Sequence, residues 1–185
     1  MTDKEKFCRI LRERSNEHKT AINLVLHNGL YGQAISILRQ ELDSMVRVIF
    51  LLDEPDLSIR SHFMVQTLNN TKWTLPNSRI IVTDRNMVDF ANTLFGWTQS
   101  VYKLGCAFIH LSPMSDYKNE NPFLQLTQGE TDDVRQHLNN YHDFPLTNTL
   151  SMETVTPYLH RVFTKVSDNL EYYINGLETD RIGDL

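Results

Sequence analysis

Tyr31 to Leu52 reads YGQAISILRQELDSMVRVIFLL, and the placing of its apolar residues decides the fold class. Tyr31, Ile35, Leu38, Leu42, Met45, Ile49 and Leu52 recur at alternating steps of four and three. That spacing keeps one face of an α-helix turned toward a partner helix along its whole length. Ala34, Ile37, Val46, Val48 and Phe50 widen the stripe beyond a two-helix seam, so the helix predicted over about residues 30–52 is surrounded by several others. Asp53-Glu54-Pro55 ends it, because Pro55 has no N–H to donate and restricts the residue before it.

On the N-terminal side, residues 4–28 read as a first helix with Phe7, Leu11, His18, Ala21, Ile22 and Val25 on one face. His27-Asn28-Gly29 supplies its stop, since glycine tolerates the left-handed cap conformation. On the C-terminal side a shorter helix is predicted from about Asp56 to Leu68, followed by an irregular stretch over 69–83 read as a loop or short helix. Asp84 is a candidate N-cap for a long helix reaching about Leu111, with Phe90, Leu94, Trp97, Val101, Leu104 and Phe108 in register. This helix and the one over 30–52 are matched in length and expected to pack together. Residues 112–130 read as polar loop, and Thr131 opens a short helix to about His142. The last long helix starts at Ser151 or at Thr156, with Pro157 then at its first position, and buries Leu159, Val162, Val166, Leu170 and Tyr173. The expectation is an all-α fold: one domain over 1–185, an up-and-down bundle of about four long helices plus short ones, with an acidic tail fraying after about residue 177.

The 185 residues and 41% apolar content suffice for one sizeable core. A net charge of −5 excludes a whole-molecule basic field, so any surface for phosphate is local and nothing points to DNA. Cys8 and Cys106 are too few and too far apart for a disulfide scaffold or a cysteine zinc site and are expected to be reduced and half-buried. No signal peptide and no membrane-spanning run is read, which leads to the expectation of a cytoplasmic protein.

Chemistry-bearing patterns are sparse. His137 and His142 lie five apart and so diverge on a helix, with no carboxylate motif to complete a metal set; no metal or cofactor is expected. Cys106 and His110 share a face at a spacing of four, but Gly105, Ala107 and Phe108 make Cys106 a packing residue. Arg39, Asp43 and Arg47 form a polar row, read either as an ion-pair ladder or as a positive edge able to hold phosphate. The N-terminal helix mixes Lys4, Lys6, Arg9, Arg12, Arg14 and Lys19 with Glu5, Glu13 and Glu17, the pattern of a solvated face.

Two segments together carry a family resemblance. Asn28-Gly29-Leu30-Tyr31-Gly32-Gln33-Ala34, running into Leu38-Arg39-Gln40-Glu41-Leu42-Asp43, is similar to a helix that follows a small turn, carries an early alanine and continues to a buried acidic residue. Tyr102-Lys103-Leu104-Gly105-Cys106-Ala107-Phe108-Ile109-His110-Leu111-Ser112 resembles an element in which a basic residue precedes a histidine near a helix end. Both are features of the HEPN superfamily of small helical bundles. In its catalytic members an arginine and a histidine four to six residues apart act in RNA cleavage, usually across a dimer. Here Lys103 stands in the arginine's place, which keeps the charge but not the planar fork that grips phosphate twice.

The resemblance implies a metal-independent endoribonuclease or RNA-binding protein, of a toxin or defence type. His110 would then be general acid or base, Lys103 would stabilise phosphate charge, and Tyr102, Ser112, Arg39 and Arg47 would contact substrate. Two alternatives stand beside it: a non-catalytic module that forms a homodimer through a long helix, and a bundle with a small-ligand pocket between helices.

Overall fold

The computed structural model describes residues 1–181, and among them every regular element is helical. The helices are α1 (Asp3–His27), α2 (Tyr31–Asp53), α3 (Leu57–Leu68), α4 (Asp84–Phe95), α5 (Thr98–Ile109), α6 (Gln128–His142) and α7 (Met152–Glu178). Three are long, and α2 is the one the others surround: it packs most extensively on α7, then on α5, α1 and α4. Its stripe is the reason. Ala34, Ile35, Leu38, Leu42, Met45, Val46, Val48, Ile49, Leu51 and Leu52 are all buried, each removing apolar surface worth about 1.5–3 kcal/mol for the larger side chains. α1 faces it with Phe7, Cys8, Leu11, Ser15, His18 and Ile22, again at steps of four and three.

The ends of the helices follow local chemistry. Thr2 and Glu5 make a capping box at the start of α1, and Gly29 at φ 68° closes it in the left-handed region. At the end of α2 the buried Arg60 donates to Leu52 O at 2.9 Å and Glu54 O at 2.6 Å, satisfying carbonyls that have no intrahelical partner. Its third contact, to Arg181 O at 3.2 Å, ties the chain beyond α7 to the same place.

Three expectations need correction. The long helix predicted over 84–111 is two helices, because Gly96 takes φ 74° and caps α4 with its N–H on Asn92 O. A left-handed residue ends an α-helix, and the stripe resumes in α5 only after the chain has turned. The helix expected from Thr131 starts at Gln128, since Thr127 and Glu130 form a capping box that precedes the acidic run. Within 112–130, Pro113–Asp116 and Pro122–Gln125 are 3-10 turns rather than open loop. For α7 the observed cap is Ser151, and Pro157 lies inside the helix.

Residues 69–83 are a loop held by one antiparallel bridge, Thr74 with Ile81. Trp73 anchors it by stacking on Phe63 at 4.8 Å between ring centres and donating its indole N–H to Thr67 Oγ1 at 2.7 Å. Cys8 is fully buried, not half-buried, and Cys106 is intermediate; both are free thiols. The far end of the tail expected to fray, residues 182–185, lies outside the described residues. No described helix is long and apolar enough to cross a membrane.

Candidate functional site

The residues singled out by sequence fall at four different places. His110 caps the C-terminus of α5, exposed, with its backbone N–H on Cys106 O at 3.2 Å. Lys103 points to α6, its Nζ 3.2 Å from Glu130 Oε1. Glu130 is held below the ordinary carboxylate range by the Thr127 N–H and hydroxyl first, and by Lys103 after them. Seven residues of one helix separate Lys103 from His110, a rise of roughly 10 Å. Lys103 is engaged with Glu130 of α6, while His110 stands exposed beyond the end of α5, and no hydrogen bond joins the two. Ser112 donates its hydroxyl to Ala107 O at 2.6 Å and is spent on closing the helix end.

Tyr102 and Arg39 do meet. The Arg39 guanidinium lies 3.8 Å from the centre of the Tyr102 ring, and it forms an ion pair with Asp43. Burial, then the neighbouring Cys106, pushes the Tyr102 phenol up. Arg39 is only 4% exposed because α5 crosses directly over it at Gly105. A β-carbon at Gly105 would come within 2.7 Å of Arg39 Cγ and Cδ, so the helices reach this spacing only with glycine there. This arginine is a packing element and is closed to substrate.

Arg47, two turns further along the same row, has the opposite surroundings. It donates to Asp84 Oδ1 at 2.5 Å, lies 5.1 Å from the Trp73 ring and lines an open cleft of about 440 Å³. Lys6, Ile10 and Arg14, spaced by four on α1, form the opposite wall, with Phe7, Leu11 and Leu68 beneath. Asp43 and Ser44 come from α2, Thr67 from the end of α3, and Asp84 from the first turn of α4.

The charges of this cleft do not cancel. Asp43 is engaged by Arg39 and Asp84 by Arg47. Among the described residues neither Lys6 nor Arg14 has an ion-pair partner; the nearest polar contact of Arg14 is Gln40 Oε1 at 3.4 Å. By contrast Arg9 is paired with Glu13, Arg12 with Glu171 and Glu178, and Lys4 with Asp180. The Arg14 side chain is exposed to the cleft, yet desolvation by the surrounding protein lowers its affinity for the proton and Arg47 adds to this, while the carboxylates of Glu41 and Asp84 act the other way. An anion in the cleft relieves the first two effects.

One turn along α1 from Arg14 lies a buried polar cluster. Glu41 is fully buried on α2 and accepts from the Ser15 hydroxyl, while its other oxygen is 2.6 Å from His18 Nδ1. The three groups fix the rotation of α1 on α2 and with it the direction of Lys6, Ile10 and Arg14. Sequence reasoning placed His18 on the buried face but missed its partner and the basic wall. The signal for the cluster is an acidic residue inside the apolar stripe of α2, opposite two polar residues on the inner face of α1. No signal marked Lys6 and Arg14, because pairing of their neighbours across to α7 is a tertiary fact.

Among the described residues no group of three or more histidines, cysteines or carboxylates stands close enough to hold a metal ion. No family model matches the chain, and neither a curated protein nor a solved structure matches it with significance.

Proposed function

We propose that this protein binds single-stranded RNA through the cleft between α1, α2, α3 and α4, as a cytoplasmic HEPN-like bundle that does not cleave with Lys103 and His110. The observation that carries the reading is the pair of cations on α1, Lys6 and Arg14, left without carboxylate partners across a 440 Å³ cleft from Arg47. Phosphate oxygens find charge-assisted donors on these three side chains. The exposed Ile10 and half-buried Leu68, backed by the buried Phe7 and Leu11, offer an apolar face for a base or ribose. The net charge of −5 favours a short, local footprint over a long nucleic-acid track.

The test is fluorescence anisotropy with a short labelled single-stranded RNA over a range of salt. Binding is expected to weaken linearly in log–log form as salt rises, and Arg14→Gln to lower both the affinity and the salt slope by about one counterion. An affinity that Arg14→Gln and Lys6→Gln both leave unchanged would refute the site. Gel analysis of the RNA after incubation tests the rest: cleavage that His110→Ala abolishes would restore the ribonuclease reading.

A further inference from the structure

A second cavity, independent of the basic cleft, opens between α2, α5, α6 and α7. Its walls are aliphatic, with Leu38, Leu104, Val134, Leu138, Leu159 and Val162 facing one another. Its volume is about 60 Å³, room for roughly two groups of water or methyl size at about 30 Å³ each. Its charged or titratable nitrogen groups are all basic. Lys165 is half-buried with its Nζ 3.6 Å from the centre of the Tyr141 ring, and no carboxylate pairs with it among the described residues. His142, His137 and the neutral Ser100 are the other polar lining residues, and His137 Nδ1 is shielded from solvent without a hydrogen-bond partner.

No acidic residue is part of this lining. Asp133 and Asp143 lie near His137 and His142 respectively, and Arg161 adds positive charge beside His142. The site is therefore an aliphatic slot with an ammonium and two imidazoles on its polar side. Tyr141, 45% exposed, marks that side as the rim, so charge sits at the mouth and hydrocarbon further in.

We propose that this slot binds a short-chain monocarboxylate, with the aliphatic end among Leu38, Leu104, Leu159 and Val162 and the carboxylate on Lys165 and His142. The chemistry excludes the obvious competitors. An amine would meet Lys165 with like charge, and a neutral alcohol would leave the ammonium as poorly solvated as before. Burial lowers the proton affinity of Lys165, His142 and His137 alike, the condition that an anion at the rim would relieve. The small volume sets the length: a tail of about two carbons fits and a fatty acyl chain does not.

Propionate is the probe. Trp97 lines the slot, so its indole N–H resonance reports occupancy, and Trp73 on the far side of α2 serves as the internal control. Titration with propionate is expected to shift the Trp97 signal saturably and to raise Tm, while propylamine and 1-propanol do neither. Lys165→Met and Lys165→Gln should each weaken propionate at least tenfold, and Leu159→Phe, which fills the slot, should abolish it. Equal binding of 1-propanol, unchanged affinity in both folded Lys165 variants, or no saturable shift of Trp97 would each overturn the proposal. None of these outcomes bears on RNA binding, whose cleft shares no lining residue with the slot.

Discussion

Arg39 and Arg47 are the same residue type on the same row of α2, two turns apart, yet the fold uses them in opposite ways. Arg39 lies beneath α5, paired with Asp43 and stacked on Tyr102. Arg47 lies where α5 has moved away and α1, α3 and α4 leave a cleft. The first is a buried charge whose cost is offset by Asp43 and the Tyr102 ring; the second keeps access to solvent and to a ligand. A row of charges on a helix thus has no single meaning, and what covers each turn decides it.

The widest separation between the two ends is expected from truncating the buried one. Arg39→Ala leaves Asp43 unpaired and an empty space under α5, and should cost about 3 kcal/mol in urea unfolding. The paired change Arg39→Met with Asp43→Leu should recover most of that loss; if it does not, the pair matters for more than mutual neutralisation. Next comes Gly105→Ala, expected to cost about 2 kcal/mol because the new methyl meets the stem of Arg39, not a flexible tip. In an Arg39→Ala background the same change should cost markedly less, and simple additivity would break the packing account.

A smaller effect belongs to the turn that lets α5 cross α2 at this angle. Gly96→Ala forces a side chain into φ 74° and should cost about 1 kcal/mol, seen as a fall in Tm. Smallest is Arg47→Ala, whose half-exposed pair with Asp84 is worth under about 1 kcal/mol of stability. Its effect should appear in RNA anisotropy instead. A large stability loss at Arg47 would erase the contrast between the two arginines.

Much of the candidate site was hidden from sequence for the same reason. Lys6 and Arg14 sit in a mixed-charge helix that reads as a solvated face, and in sequence nothing sets them apart from Arg12. The difference arises because Arg12 finds Glu171 and Glu178 on α7 while Arg14 turns to the other side, toward α2. Lys103 and His110 were singled out by a resemblance along the chain; the fold turns Lys103 to Glu130 of α6 and leaves His110 exposed beyond the end of α5. Gly96 lies inside the stripe predicted over 84–111, and the stripe by itself does not show that a helix ends there.

The sequence by itself determined that this chain is helical, where α1, α2, α3 and α7 run, and which face of α1, α2 and α7 turns inward. Those properties follow from the period of the apolar residues and from local caps such as Thr2 with Glu5, which act within one turn. Tertiary structure alone decided that Arg39 is sealed and Arg47 open, that Glu41 pins α1 through Ser15 and His18, and that a basic cleft and an aliphatic slot lie on different sides of α2. Charge pairing and cavity shape depend on groups far apart along the chain, and only packing brings them to within a few ångströms of one another.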